Sequence, residues 1–218
     1  MPRPTRNQKP LIYVFCEGES EQAYTDFLKK EFSDIAVIKR PKSTGLFEEA
    51  NDIFKKDKRY REHAEVTDEI WFFFDVEKDE KGKWDSRYQI IKKLRKLRKK
   101  PEIHIRLLMT TACIEYWLML HYKKYAPDIE SPADKQRILR ELRNYVKTYV
   151  KGDYSATAQI AEKYPDAVKN AKSVLSDLLQ EGLPELNDTD TRNRWLYTCS
   201  KTFSTVFEAI EYLESLKD

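Results

Sequence analysis

Hydrophobic runs alternate with amphipathic segments through the first half of the chain. Continuous apolar stretches are typical of parallel strands that are covered on both faces, and alternation of apolar and polar residues also predicts a strand; four segments show one pattern or the other. They are LIYVFC (11–16), IAVIKR (35–40), EIWFFFDVEK (69–78) and EIHIRLLMT (102–110). Segments of helical periodicity separate them, over about 21–31, 44–63 and 84–100. This order predicts an α/β fold with a mainly parallel four-stranded sheet and helices on both faces.

The pattern changes after about residue 111. The segment TTACIEYWLMLHYKKY is apolar on nearly every side, which predicts a buried helix. Beyond it only helical periodicities recur, over 132–150, 155–162, 165–181 and 203–216. We therefore predict a basic N-terminal tail, an α/β core and a helical subdomain packed on that core, at residues 1–10, 11–126 and 127–218.

Composition narrows the class of protein more than it identifies a partner. Charged residues make up 35% of the 218 residues, yet the net charge is only +3, so the distribution of charge matters more than its sum. Cys16, Cys113 and Cys199 lie far apart without a C-x-x-C spacing, which argues against a disulfide framework or a structural zinc. No apolar run reaches membrane-spanning length, so we expect a cytoplasmic protein without membrane contact.

Acidic residues follow two of the predicted strands. The first strand leads into Glu17, and the third ends with Asp75 and Glu77, which leave an extended backbone on the same side. Sites in parallel sheets form at the carboxyl ends of strands, and several carboxylates there could hold Mg²⁺ or Mn²⁺. Solvated acids after a strand are the alternative interpretation.

Two further glutamates lie on predicted helices. Glu21 falls near a helix start, where any carboxylate gains from the helix dipole, so it is either a site acid or a helix-start residue. Glu115 lies in the apolar helix, and burial of an unpaired carboxylate is costly. It therefore faces a cleft or has a cationic or metal partner. His121 is more typical of a satisfied structural histidine than of a ligand.

Basic residues cluster opposite the apolar stripe of the helix at 87–100. These residues could form an ordinary solvent-exposed helix face. They could also bind a phosphate backbone, because an acidic site needs cations nearby before it can hold a polyanion. Lys151 lies among tyrosines, a mixture found at nucleic-acid sites. The predicted nucleic-acid-binding residues are Lys92, Lys93, Arg95, Lys96, Lys99 and Lys151.

Three segments occur in an order that resembles the RloB-like family. They are VFCEGESEQAYTDFL, FFFDVEKDE and TTACIEYWLMLHY. The resemblance implies a Toprim-like fold and metal-dependent phosphodiester cleavage, in a family found at bacterial phage-defence loci. It also implies roles for the acids: Asp75 and Glu77 as ligands of Mg²⁺ (or Mn²⁺), and Glu17, Glu21 and Glu115 as catalytic carboxylates. Glu77 stands where the usual motif has Asp, which moves the carboxylate by about 1.5 Å.

The resemblance implies a nucleic-acid substrate and leaves its kind open among DNA, RNA and transfer RNA. It also leaves open an ABC-type ATPase partner encoded nearby and assembly into a homo-oligomer. The alternative function is a non-catalytic module that binds nucleic acid or a nucleotide and regulates a partner ATPase. Phosphoryl transfer of the primase type is a third interpretation, without a further nucleotide-binding motif to support it.

Overall fold

A four-stranded, all-parallel sheet forms the centre of the protein in the computed structural model. The structure describes residues 9–129 and 131–217, and only the backbone of Lys78, so the first eight residues of the predicted tail lie outside the described residues. The strands are β1 (Leu11–Cys16), β2 (Val37–Lys39), β3 (Thr67–Val76) and β4 (His104–Thr111). Their order is β2-β1-β3-β4. This confirms the predicted α/β class and the four parallel strands.

The apolar composition of β3 explains its central place. Trp71, Phe72 and Phe73 are fully buried, so both faces of the strand are covered. In the parallel register Phe72 lies between Phe15 of β1 and Leu107 of β4. The same register brings the carboxyl ends of β1, β3 and β4 to one edge of the sheet.

Ten α-helices surround the sheet in the described part of the chain. They are α1 (Glu19–Glu31), α2 (Phe47–Lys56), α3 (Lys58–His63), α4 (Trp84–Arg95), α5 (Ile114–Leu120), α6 (Pro132–Tyr145), α7 (Tyr154–Ala161), α8 (Tyr164–Asp177), α9 (Asp190–Thr198) and α10 (Phe207–Ser215). Every residue of α5 is buried, which confirms the predicted buried helix. None of the described helices has the length and apolar character needed to cross a bilayer.

Several predicted helices are shorter or broken in the structure: that over 132–150 ends at Tyr145, and that over 203–216 begins at Phe207. The predicted helix over 44–63 is broken at Asp57, whose backbone is extended and whose side chain accepts a hydrogen bond from the Arg59 N–H at the start of α3. The predicted helix over 84–100 ends at Arg95, because the chain turns toward Pro101, a residue that disfavours helical backbone before it. Helix α9 lies between the predicted helices over 165–181 and 203–216 and has no predicted counterpart; it begins after a polar stretch, with Thr189 as its N-cap.

The C-terminal helices pack directly on the sheet and its first helices. Helix α7 packs on α1, α8 on α5 and α10, and α10 on β4. Thr205 closes the outer side of β4: its N–H donates to the Met109 carbonyl oxygen, and its hydroxyl accepts from the Met109 N–H, both at 2.9 Å. A single hydrophobic cluster extends from Ile12 to Leu213.

Candidate active site

The carboxyl ends of β1 and β3 are joined by a glutamate. The Glu17 N–H continues the ladder by donating to the Phe73 carbonyl oxygen at 3.0 Å. The Glu17 carboxylate accepts the backbone N–H of Asp75 at 2.8 Å. Burial raises the pKa of Glu17, and the Asp75 N–H partly offsets that rise. Glu17 is therefore held in one orientation across the strand ends.

Asp75 carries the polar atom that most needs a partner. Its Oδ1 is buried and accepts no hydrogen bond from the described residues. Burial raises its pKa well above the usual range, and the negative charges of Glu21, Glu17 and Glu115 raise it further. Asp75 thus lies among three other carboxylates, with one oxygen left unsatisfied.

Glu21 enters the same cluster from the first turn of α1. Its carboxylate is buried, and burial together with the charges of Glu17 and Glu115 raises its pKa to about 7. Gly18, the N-cap of α1, allows this position, because a Cβ on Gly18 would lie 2.9 Å from Glu21 Oε2. Glu21 therefore lies in the first turn of α1, as predicted, and beside the other acids, while its catalytic role stays a prediction.

Glu115 reaches the cluster from α5 and has partners of its own. It is only 1% exposed, and it accepts hydrogen bonds from the Tyr149 hydroxyl at 3.2 Å and from Lys151 Nζ at 3.1 Å. The loop that carries both partners is tied to α1, since the Gly152 N–H donates to Ser20 Oγ at 3.1 Å. Lys151 is thus the cationic partner that the apolar surroundings of Glu115 require.

Glu77 is not gathered into this cluster. Strand β3 ends at Val76, and Glu77, whose backbone is still extended, precedes a short 3-10 turn. The Glu77 side chain is exposed and accepts from Lys135 Nζ at 2.5 Å. The structure brings Asp75 together with Glu17, Glu21 and Glu115, and the metal-ligand role of Glu77 stays a prediction.

The acidic cluster suits a divalent cation in the chemistry of its donors. Carboxylate oxygens are the ligands Mg²⁺ and Mn²⁺ prefer, and the unpartnered Asp75 Oδ1 and the raised pKa values both mark excess negative charge. The described side chains do not form a closed group of three or more such ligands. Asp75 is the residue whose free oxygen would hold the ion, with Glu17 and Glu21 beside it.

The basic end of α4 lies away from the acidic cluster. Arg98 contacts Asp68 and the Thr67 carbonyl oxygen at the beginning of β3, whereas Asp75 is near the end of that strand. Eight strand residues at about 3.3 Å each separate these points by roughly 26 Å. Arg95 is already paired with Asp190 at 2.6 and 2.8 Å. The predicted nucleic-acid contacts on and after this helix are Lys92, Lys93, Arg95, Lys96 and Lys99, and for them that role stays a prediction.

Cations near the site come from positions that the sequence analysis did not select. Arg87, buried at the start of α4, donates to Glu80 at 2.6 Å and lowers the pKa of Glu17. Lys135 of α6 lowers the pKa of Asp75. Of the six residues predicted to bind nucleic acid, only Lys151 reaches the cluster. The mixture of basic and aromatic residues in YVKGDY was the sequence feature that indicated its loop.

His121 has the buried, hydrogen-bonded surroundings of a structural histidine, which is the role that the sequence favours for it. Its ring is fully buried, with Nδ1 at 3.1 Å from the Trp117 carbonyl oxygen and Nε2 at 3.1 Å from the Tyr24 hydroxyl. Burial lowers its pKa to about 3. The neutral ring therefore donates from Nδ1 and accepts at Nε2.

Comparison with known proteins adds a family relationship. A family model described as RloB-like protein matches residues 12–213. The matched range begins in β1 and ends in α10, so it includes the C-terminal helices beyond the three segments of the sequence resemblance. No curated protein and no solved structure gives a significant match.

Proposed function

Because the chain belongs to the RloB-like family, we propose that it is a metal-dependent nuclease that hydrolyses phosphodiesters of RNA or DNA in bacterial anti-phage defence. One observation carries this proposal: the carboxylates of Glu17, Glu21 and Glu115 lie near enough to raise the pKa of Asp75, whose buried Oδ1 has no partner among the described residues. Mutual repulsion of this kind is retained at functional sites because a bound cation relieves it.

The side chains divide the work of such a reaction among themselves. A bound Mg²⁺ or Mn²⁺ would supply Lewis-acid polarisation of a phosphoryl oxygen. Asp75 would hold the ion, and Glu17, oriented by the Asp75 N–H, would accept or return the proton of the hydrolysis. Lys151 neutralises Glu115, and its 57% exposed side chain would also meet a phosphate oxygen from solvent.

A non-catalytic module that binds nucleic acid or a nucleotide and regulates an ABC-type ATPase is the second candidate. It is favoured by the ion pairs that Lys151 and Lys135 already make with Glu115 and Glu77. A site neutralised in this way could bind phosphate without a metal ion. The nuclease takes nucleic acid as partner, the regulatory module takes nucleic acid or a nucleotide, and self-association is compatible with either.

Cleavage of labelled single-stranded and duplex RNA and DNA, with Mg²⁺, with Mn²⁺ and with EDTA, separates the two candidates. We expect metal-dependent cleavage that falls by at least 10²-fold in Asp75→Asn and Glu17→Gln, since each removes a charge at the reacting centre. Glu211→Gln is the matched control, because Glu211 pairs with Lys172 outside the acidic cluster. Equal cleavage by Asp75→Asn and wild type would contradict the nuclease. Nucleic-acid binding without metal-dependent cleavage would favour the regulatory module.

A further inference from the structure

A cavity of about 250 Å³ lies beside the acidic cluster. Val76, which directly follows Asp75, forms part of its wall, and so do Thr111 and Ala112 at the end of β4. Pro132 and Lys135 of α6 close one side. Lys135 also lowers the pKa of Asp75, so a group bound in the cavity would lie near a phosphodiester held at Asp75.

The lining of this cavity is rich in hydroxyl groups and has three lysines against two acids, Glu77 and Asp79. Lys81, Lys135 and Lys201 line it together with Ser131 and Ser200. Lys135 and Lys201 are paired with Glu77 and Glu181. Lys81 instead donates to the neutral hydroxyl of Ser200 at 2.8 Å, so its charge is available to an anion. A lysine and a serine hydroxyl held together in this way are suited to a phosphate group.

The backbone at the cavity wall is also unusual. Ala112 has a φ of +67°, in the left-handed region that non-glycine residues rarely adopt, at a cost of about 1–2 kcal/mol. Its N–H donates to the Val76 carbonyl oxygen at 3.2 Å, which joins the ends of β3 and β4 beneath the cavity. Strain of this kind is concentrated at ligand sites.

From this lining we infer that the cavity binds an unpaired nucleotide of the nucleic acid being cleaved, adjacent to the cleaved bond, with Lys81 and Ser200 on its phosphate. The inference rests on the proposed nuclease and specifies its substrate class as a single-stranded or locally unpaired nucleic acid. The volume is below the roughly 300–1,000 Å³ of pockets for drug-sized ligands, so it suits one nucleotide. A stacked, paired base cannot enter such a recess.

Cys199 provides a readout of occupancy that does not depend on cleavage. It lines the cavity and is half-buried, whereas Cys16 and Cys113 are buried in the core. Burial raises the pKa of the Cys199 thiol, so N-ethylmaleimide should modify it slowly at mildly alkaline pH. The rate of modification, followed by intact mass in EDTA, then reports whether the cavity is filled.

We expect oligo-dT or oligo-U to slow this modification several-fold, in wild type and in Asp75→Asn, and hairpin duplexes to slow it much less. Lys81→Gln and Ser200→Ala should each raise the oligonucleotide concentration needed for protection, by roughly tenfold for the lysine. Lys172→Gln, which removes an ion-paired lysine from a different cavity, should leave it unchanged. The oligo-dT and oligo-U arms distinguish DNA from RNA.

Several outcomes would overturn the inference. Equal protection by duplex and single strand, protection by a free nucleoside monophosphate at the same concentration, or undiminished protection in both Lys81→Gln and Ser200→Ala would each do so. Protection of wild type without metal-dependent cleavage would instead support the nucleotide cavity and contradict the nuclease. Cleavage without protection would contradict only the cavity.

Discussion

The backbone N–H of Asp75 donates to the carboxylate of Glu17 at 2.8 Å, so one acid of the site orients another. Asp75 thus has two tasks: its backbone supplies a donor, while its side-chain Oδ1 accepts no hydrogen bond from the residues that the structure describes. The arrangement concentrates negative charge at the strand ends. Repulsion among these acids lowers the stability of the folded protein when no cation is bound.

Asp75→Asn should therefore stabilise the protein in the absence of metal. The pKa of Asp75 is raised by burial and by three neighbouring carboxylates, so its ionised form is unfavourable in the folded state near neutral pH. We expect a gain of about 1 kcal/mol, which corresponds to a melting temperature higher by roughly 2–4 °C in EDTA. Mn²⁺ should raise the melting temperature of wild type and have little effect on the variant.

Differential scanning fluorimetry of both proteins, with EDTA and with Mn²⁺, measures this. Glu211→Gln is the control, since it removes an exposed acid without touching the cluster. A variant less stable than wild type in EDTA would show that the acids do not repel one another.

Lys151→Gln should destabilise the protein because it leaves the carboxylate of Glu115 buried without its cation. We expect a loss of about 1–3 kcal/mol in the free energy of unfolding, measured by urea denaturation. The loss should largely disappear in the double variant Lys151→Gln/Glu115→Gln, since the charge that needed a partner is then gone.

Lys172→Gln offers a matched comparison for this prediction. Lys172 and Lys151 are similarly exposed, at 53% and 57%, but Glu211, the partner of Lys172, is 41% exposed where Glu115 is 1% exposed. Pairs on the surface contribute under about 1 kcal/mol. Equal effects of the two substitutions would mean that Glu115 does not depend on Lys151.

Gly18→Ala should disturb the site more than the fold. The added Cβ would lie 2.9 Å from Glu21 Oε2, so the carboxylate must move, while the helix start changes by about 1 kcal/mol or less. We expect Mn²⁺ affinity, measured by calorimetry, to fall by roughly tenfold. Gly82→Ala is the control, because a Cβ at Gly82 meets no described atom within 4 Å. Identical affinities of the two variants would rule out the proposed role for Glu21.

Acid should destabilise the protein through His121. Its pKa is about 3 in the folded protein, whereas an exposed histidine takes up a proton near 6.5. The unfolded chain therefore binds the extra proton as pH falls from about 6.5 to 3, and this residue lowers stability by up to about 1.4 kcal/mol per pH unit in that window. Urea denaturation at several pH values should show a shallower acid slope in His121→Gln than in wild type. An unchanged slope would mean that the ring titrates normally.

The sheet and most of the acidic cluster could be predicted from sequence because they depend on local patterns. Apolar runs determined the strands, and Glu17 and Asp75 lie where two of those runs end. Glu77 illustrates the limit: its backbone is still extended, but its carboxylate pairs with Lys135 of α6, 58 positions away, and nothing local predicts that partner. The partner of Glu115 was foreseeable in kind, but nothing local identifies Lys151, which lies 36 positions away.

The basic residues show a different limit. The sequence shows that one face of a helix is charged. It does not show at which end of the sheet those charges lie, because that depends on how the helix packs on the strands. Arg95 forms an ion pair with Asp190, 95 positions later. That pairing depends on α9, which begins in a polar stretch with weak periodicity. Long-range pairings of this kind leave no local signature.

The contact of Thr205 with Met109 also bears on how the protein is made. The outer side of β4 stays open on a nascent chain until a residue 96 positions farther on has left the ribosome. An unpaired strand edge is a template for intermolecular pairing, so the emerging chain passes through a long aggregation-prone interval. Chains that stop before Ser204 would keep that edge permanently, and premature termination should yield insoluble products rather than smaller folded ones.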